Sequence, residues 1–185
     1  FDLLRARDFA RQGQTPWTPP VSVFFALDES LKRAHREGLL ALRRRHENYA
    51  TAIRAAFAAL DMPVFSQPGA HSVTVVAVRV PAGIEAATLL RKLREERGVV
   101  LSGGQLDLKG KIVRMGTMGA ISQTDILGAI GALEIALLEY GAPVRIGAGV
   151  QAALRVFLDL EPGVKYDGAR STDERTDAQT TATPH

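Results

Sequence analysis

The feature that most constrains this chain is a repeat of apolar side chains between Val21 and Leu60. Apolar residues recur there at intervals of three and four, which places them on one face of an α-helix. They are Phe24, Leu27, Leu31, Ala34, Leu39, Leu42, Tyr49, Ile53, Phe57 and Leu60. Gly38 can bend or divide such a helix, and Pro63 lies just past its expected end. The pattern predicts one long amphipathic helix, or two that meet at Gly38.

Shorter strand and helix signals follow this long stretch. Residues 72–79 are rich in β-branched side chains and are closed by Pro81, which favours a strand. IEAATLLRKLREERG has helical spacing and ends in Gly98, and SQTDILGAIGALEIALLEYG opens with Ser122 and Asp125 at the spacing of a capping box. Between these helices, VVLSGG and KIVRMG predict two strands joined by the loop QLDLKG. The order β-α-β-β-α predicts an α/β (α+β) small domain, with a small sheet covered by helices on one face.

The two ends of the chain differ from this central region. TPWTPP is rich in proline, so residues 1–20 are predicted to form an extended arm without a helix. Residues 21–158 are predicted to form the folded domain, with a further helix from Gly149 to Leu158. Residues 159–185 have few large apolar side chains and are predicted to be a disordered tail.

Composition is typical of a folded globular protein. The chain has 185 residues, of which 46% are hydrophobic and 23% are charged. No apolar run approaches the roughly 18 residues that a membrane-spanning helix needs, so no membrane partner is expected. The absence of cysteine excludes disulfides and thiolate sites and fits a cytoplasmic enzyme. Arginines of residues 31–54 are interleaved with acids and have few aromatic neighbours, which favours a solvated helix face over a nucleic-acid surface.

Arg114 is the residue whose chemistry needs explaining, because it lies within the apolar run of GKIVRMGTMG. Its stem can be buried while the guanidinium reaches water, as is common for long basic side chains. Alternatively, the planar guanidinium binds a carboxylate through paired donors. Gly116 and Gly119 permit close approach or unusual backbone angles, as in a loop that lines a small-molecule site. The residues themselves leave both interpretations open.

Other kinds of site have little support in the sequence. His35 and His46 lie on the predicted helix at a separation of about 16 Å, too far apart for one metal ion, so no metal site is predicted. Ser102, Gly103 and Gly104 match neither a phosphate-binding loop nor a nucleophile elbow. The lysines lie in charged helix faces, glycine-flanked loops or the tail, so none is predicted to be an activated amine. No catalytic residue is predicted in this chain.

Several motifs in order along the chain resemble one family. They are TPWTPPVSVFFALDESL, a helix containing EGL and RRRHE, then GVVLSGGQLDLKGKIVRMGTMG and DILGAIGALEIAL. Over residues 1–150 they resemble the C-terminal part of class V aminotransferases, notably the alanine–glyoxylate and serine–glyoxylate enzymes and related soluble-hydrogenase subunits. Members of that family are pyridoxal-phosphate (PLP) enzymes of fold type I that act as homodimers. The resemblance implies a C-terminal small domain, with residues 1–20 as an interface arm.

The resemblance also implies roles for three residues. Arg114 matches the arginine that binds the α-carboxylate of the amino-acid or keto-acid substrate. Thr18 matches the position that reaches the cofactor phosphate of the neighbouring subunit, and Thr15 lies where a related enzyme has a tyrosine. The implied reaction of the full-length enzyme transfers an amino group from alanine or serine to a keto acid such as glyoxylate or pyruvate.

One departure from the family concerns the cofactor. The lysine that forms the Schiff base and the aspartate that pairs with the pyridine nitrogen lie upstream of the matching segment, and this chain has neither. Without that lysine the cofactor cannot be held covalently or serve in the usual way as an electron sink. The chain alone is therefore predicted to lack transaminase activity. The alternative is a non-enzymatic module that binds a small carboxylate or mediates dimerisation.

Overall fold

The computed structural model describes residues 2–159. These residues divide into two compact units, with the boundary between Leu42 and Arg43. The predicted division after residue 20 remains a prediction, and the predicted tail of residues 159–185 lies outside the described residues except for its first member. Among residues 2–159, no helix has the length and apolar character needed to cross a membrane.

Helix α1, Leu3–Ala10, begins the first unit. The Asp2 carboxylate caps this helix by accepting the backbone N–H of Arg5 at 2.9 Å. The prediction that residues 1–20 contain no helix is therefore wrong for this segment. The proline-rich stretch begins only at Pro16, so it does not prevent a capped helix from forming before it. Residues 11–20 do lack helix and strand.

Two helices account for the long apolar repeat. They are α2, Val21–Glu37, and α3, Leu39–Ala59. Gly38 separates them with φ 85° and ψ 135°, a conformation that interrupts the helix and that residues with a Cβ rarely adopt. Of the two predicted alternatives, the structure has the divided helix. The buried side chains of α3 include Ile53 and Phe57, so this helix contributes to a core.

Three antiparallel strands form one sheet in the second unit. They are β1, Val75–Arg79; β2, Ser102–Gly103; and β3, Ile112–Gly116. Their order is β1-β3-β2, so the strand that contains the arginine is central. The predicted strands are confirmed, although β1 is shorter than the predicted 72–79.

The remaining helices also follow the sequence signals. They are α4, Ala86–Arg97; α5, Gln123–Glu139; and α6, Ala148–Asp159. Helix α4 ends at Gly98 in the left-handed conformation, with φ 67°. The Ser122 side chain accepts the backbone N–H three residues later and begins α5 in the predicted capping box.

The core lies against one face of the sheet. Alternate strand residues Val76, Val78, Val113 and Met115 are buried in one cluster with side chains from α3, α4 and α5. The residues between them in β1 and β3, including Arg114, project from the opposite face. The predicted small sheet with helices on one face is confirmed, and this arrangement leaves Arg114 outside the core.

Candidate carboxylate-binding site

Arg114 lies in the middle of the central strand. It is opposite Ala77 of β1 and Ser102 of β2. Its sequence neighbours Val113 and Met115 point into the core, and Arg114 itself is half-buried on the other face. Both residues opposite Arg114 are small, so a bulky neighbour does not cover it from either paired strand.

The guanidinium of Arg114 is held at one nitrogen. Its Nε–H donates to the carbonyl oxygen of Gly103 at 2.9 Å. Within residues 2–159, no aspartate or glutamate forms an ion pair with Arg114. A guanidinium fixed at Nε presents its two Nη groups side by side, which suits the two oxygens of a carboxylate. This arrangement is compatible with carboxylate binding, and the assignment of that role stays a prediction.

Thr117 anchors the chain directly after β3. Its side chain is fully buried, and its hydroxyl donates to the Val73 carbonyl at 2.7 Å. Its backbone N–H donates to the Thr74 carbonyl at 3.0 Å, which extends the pairing of β1 with β3 beyond Gly116. Of the two glycines that flank the site, Gly119 has a positive φ, 98°, that requires glycine. Sequence reasoning did not single out Thr117, because its side-chain partner lies 44 positions away.

Thr15 and Thr18 lie in the first unit, between α1 and α2, and both are exposed. The Thr15 hydroxyl donates to the Trp17 carbonyl at 2.6 Å and so closes a tight turn. The Arg5 guanidinium lies 4.9 Å from the centroid of the Trp17 ring, which ties this turn to α1. Exposed hydroxyls can donate to phosphate oxygens. Their assignment to the cofactor phosphate stays a prediction.

Two lysines in helices are paired with carboxylates. The hydrogen bond from Lys32 to Asp28, 2.6 Å long, raises the pKa of the lysine. Lys92 donates to Glu96 at 2.8 Å and lies 3.1 Å from Glu139, and these hydrogen bonds raise its pKa as well. Forming an imine requires the unprotonated amine, which is favoured by the opposite shift. These two lysines are therefore poor candidates for binding a carbonyl cofactor covalently.

The other described lysines do not change this result. Lys109 and Lys111 are exposed in the loop between β2 and β3, outside the apolar surroundings that activate an amine. Within residues 2–159, then, no lysine has the surroundings of an imine-forming residue. The same residues contain no group of three or more histidine, cysteine, aspartate or glutamate side chains placed to hold a metal ion.

No protein-family model matches this chain. Individual proteins and solved structures do show similarity to it. The soluble hydrogenase small subunit of Synechococcus is 41% identical over 158 residues, which are 85% of this chain and 41% of that protein. The serine–glyoxylate aminotransferase of Methylorubrum extorquens is 33% identical over 142 residues, 76% of this chain and 35% of the relative. The crystal structure of pyridoxamine–pyruvate aminotransferase from Mesorhizobium loti matches with a TM-score of 0.72 and 35% identity. That match covers 77% of this chain and 37% of the solved one.

The similarity covers most of this chain but only part of each relative. The chain spans 41% or less of the length of these proteins. The matching part is a C-terminal portion of the relatives, as the sequence motifs predicted. The small sheet and its helices match the fold of solved aminotransferases, among them the pyridoxamine–pyruvate enzyme. By sequence and by fold, this chain matches a C-terminal portion of class V PLP-dependent aminotransferases.

Proposed function

We propose that this chain is the C-terminal part of a PLP-dependent aminotransferase in which Arg114 binds the substrate carboxylate. The amino donor is alanine or serine, and the acceptor is a keto acid such as glyoxylate or pyruvate. The observation that carries this proposal is the Arg114 guanidinium, which Gly103 holds at Nε while no carboxylate within residues 2–159 neutralises it. Similarity to enzymes named for serine, glyoxylate, pyridoxamine and pyruvate supports it.

Arg114 supplies both binding energy and orientation. Hydrogen bonds that involve a charged partner each contribute about 1.5–3 kcal/mol, so two of them bind a carboxylate substantially. A bidentate contact also fixes the carboxylate, and with it the direction of the bond from Cα to its proton. Amino-acid and keto-acid substrates both carry a carboxylate, so the same arginine serves both halves of the reaction.

The cofactor requires residues beyond those around Arg114. PLP, when bound, supplies the electron sink for transamination. Thr18 is proposed to donate to its phosphate across the interface of a homodimer. Thr15 is proposed to do the same once its hydroxyl proton leaves the Trp17 carbonyl, because a threonine has one O–H to donate. Because no lysine within residues 2–159 suits an imine, we infer that another part of the protein provides it and that this chain alone does not transaminate. The lack of cysteine supports a cytoplasmic location.

Replacement of Arg114 in the full-length enzyme tests the proposal. Arg114→Ala should raise KM for alanine and for glyoxylate by about 10²-fold, because two charge-assisted hydrogen bonds are lost. The visible absorbance of the bound cofactor should remain. Arg79→Ala is the matched control, since Arg79 is an exposed arginine at the end of β1 whose guanidinium lies 5.1 Å from the Phe65 ring. Equal KM changes in the two variants would show that only net charge matters and would refute the assignment.

The second candidate is a non-enzymatic module that binds a small carboxylate or mediates dimerisation. It is favoured by the surroundings of the lysines within residues 2–159, none of which suits an imine. Adding PLP to the purified chain does not separate the candidates, because neither predicts an imine band. The coding sequence before Phe1 does separate them. A lysine-bearing aminotransferase domain there supports the enzyme, whereas a start codon beside Phe1 supports the module.

A further inference from the structure

The loop between β2 and β3 folds back onto Gly104. A Cβ placed on Gly104 would overlap the carbonyl oxygen of Leu108 and lie 2.5 Å from its carbonyl carbon. That carbonyl oxygen also accepts the backbone N–H of Lys111 at 3.0 Å, so a hydrogen bond restrains its position. Gly104 in turn donates its N–H to the Ile112 carbonyl at 3.2 Å. Position 104 therefore accepts only glycine unless backbone atoms move.

This contact lies one residue from the group that orients Arg114. Gly103, the residue before Gly104, provides the carbonyl oxygen that accepts the Arg114 Nε–H. With Nε occupied, a substrate carboxylate meets the two Nη groups end-on and cannot use Nε and one Nη together. The position of the Gly103 carbonyl thus selects one of the two ways in which an arginine binds a carboxylate.

We propose that Gly104 is a positioning residue for Arg114. The close contact with Leu108 fixes the backbone of Gly103 and Gly104, and the fixed Gly103 carbonyl holds the guanidinium ready for end-on binding. This inference rests on the proposed role of Arg114 in carboxylate binding. Gly104 touches no substrate in this arrangement and acts only through Gly103.

The expected effect of Gly104→Ala follows from the distances. Relief of the overlap requires a backbone displacement on the order of 1 Å, because non-bonded carbon and oxygen atoms do not approach much below about 3.2 Å. The bond from Arg114 Nε to Gly103 is 2.9 Å long, so a shift of that size takes it past hydrogen-bonding distance. The guanidinium is then free to rotate. A carboxylate that binds must then fix the rotating guanidinium in one orientation, which costs conformational entropy. We expect this cost to weaken carboxylate affinity about tenfold.

Nitrogen-15 NMR of the 185-residue chain tests the orientation without any ligand. The Nε–H signal of Arg114 is identified as the one that Arg114→Lys removes. It should exchange with solvent at least about tenfold more slowly than the signals of exposed arginines, because it is hydrogen-bonded. In Gly104→Ala its exchange should rise to the exposed level. Gly128→Ala is the control, since Gly128 lies in α5 with no atom within 4 Å of an added Cβ.

A titration of the full-length enzyme with glyoxylate, in wild type and with the same substitutions, tests the consequence. Gly104→Ala should weaken binding about tenfold relative to wild type, and Gly128→Ala should leave it unchanged. If exchange quickens in Gly104→Ala but affinity does not fall, orientation does not matter and the inference is overturned. If wild type and Arg114→Ala bind glyoxylate equally, the proposed function fails instead, while the exchange result still reports on Gly104.

Two further exchange measurements test the inference if Gly104→Ala does not fold. Deletion of Leu106–Leu108 removes the Leu108 carbonyl that packs against Gly104, and it adds no side chain. The Arg114 Nε–H should then exchange faster with solvent. Retained slow exchange in that deletion would overturn the inference. So would fast exchange of the Arg114 Nε–H in the wild-type chain.

Discussion

Glu134 allows the sharpest prediction about stability, because it is a buried carboxylate in one helix that contacts the N-terminal end of a second helix. It lies in α5 and is 4% exposed. One of its oxygens accepts the backbone N–H of Gly147, and the other accepts that of Gly149 at 3.2 Å. The Gly147 N–H immediately precedes α6 and the Gly149 N–H lies in its first turn, where N–H groups have no intrahelical acceptor. Glu134 therefore caps α6 from outside that helix.

The magnitude follows from what Glu134→Gln removes. The amide keeps the shape and one acceptor oxygen, but its NH₂ group then faces a backbone N–H. Loss of one hydrogen bond to a charged acceptor costs about 1.5–3 kcal/mol. Loss of the negative charge at the helix N-terminus adds roughly 0.3–2 kcal/mol. We expect the free energy of unfolding to fall by about 3 kcal/mol, a large part of the usual 5–15 kcal/mol of a domain.

Urea unfolding followed by circular dichroism measures this change. With an m-value of about 2 kcal/mol/M, the midpoint should fall by about 1.5 M. Glu95→Gln is the control, because Glu95 is exposed in α4 and, among the residues that the structure describes, pairs only with Arg94 at 3.5 Å. Its free energy of unfolding should change by at most about 0.5 kcal/mol, so its urea midpoint should hardly move. If the two variants unfold at the same urea concentration, Glu134 does not cap α6 and the reasoning fails.

Three other substitutions examine the helix ends. Gly98→Ala should lower the free energy of unfolding by about 1 kcal/mol, because an alanine is strained at φ 67°; an unchanged urea midpoint would contradict the left-handed cap. Ser122→Ala should cost about 1 kcal/mol, again by urea unfolding, because α5 loses its N-cap. Hydrogen bonds from the Ser122 hydroxyl and then its backbone N–H lower the pKa of Asp125 below 3.8. The resulting stability is present above that value and is lost as pH falls through the lowered pKa, so Asp125→Asn should remove this part of the acid dependence of unfolding. Parallel pH curves for wild type and Asp125→Asn would argue against it.

Local signals in the sequence predicted most of the fold. Gly38 divides the long apolar repeat into two helices, and Gly98 ends α4, because both glycines have a positive φ that an α-helix does not contain. Ser122 begins α5 because its side chain caps that helix. The strands followed from their β-branched composition. The one wrong prediction, the absence of helix near the N-terminus, came from applying the prolines after residue 15 to Leu3–Ala10, where the local cap decides.

The parts that the sequence did not predict depend on contacts between distant residues. Thr117 bonds to a carbonyl 44 positions away, and Glu134 to an amide 13 positions away, so no local pattern marks either residue. Arg114 was identified as a candidate, but its hydrogen bond to Gly103 depends on the register of two strands. Residue type alone could therefore suggest the site but could not describe its geometry.

The position of Arg114 and its acceptor in one hairpin has a consequence for folding. Gly103 lies only 11 positions before Arg114, whereas β1 reaches β3 across the whole of α4. Closing the shorter loop costs less entropy, so we expect β2 and β3 to pair before β1 joins them. The orientation of the guanidinium is then established within a single hairpin. It does not have to wait for the rest of the sheet.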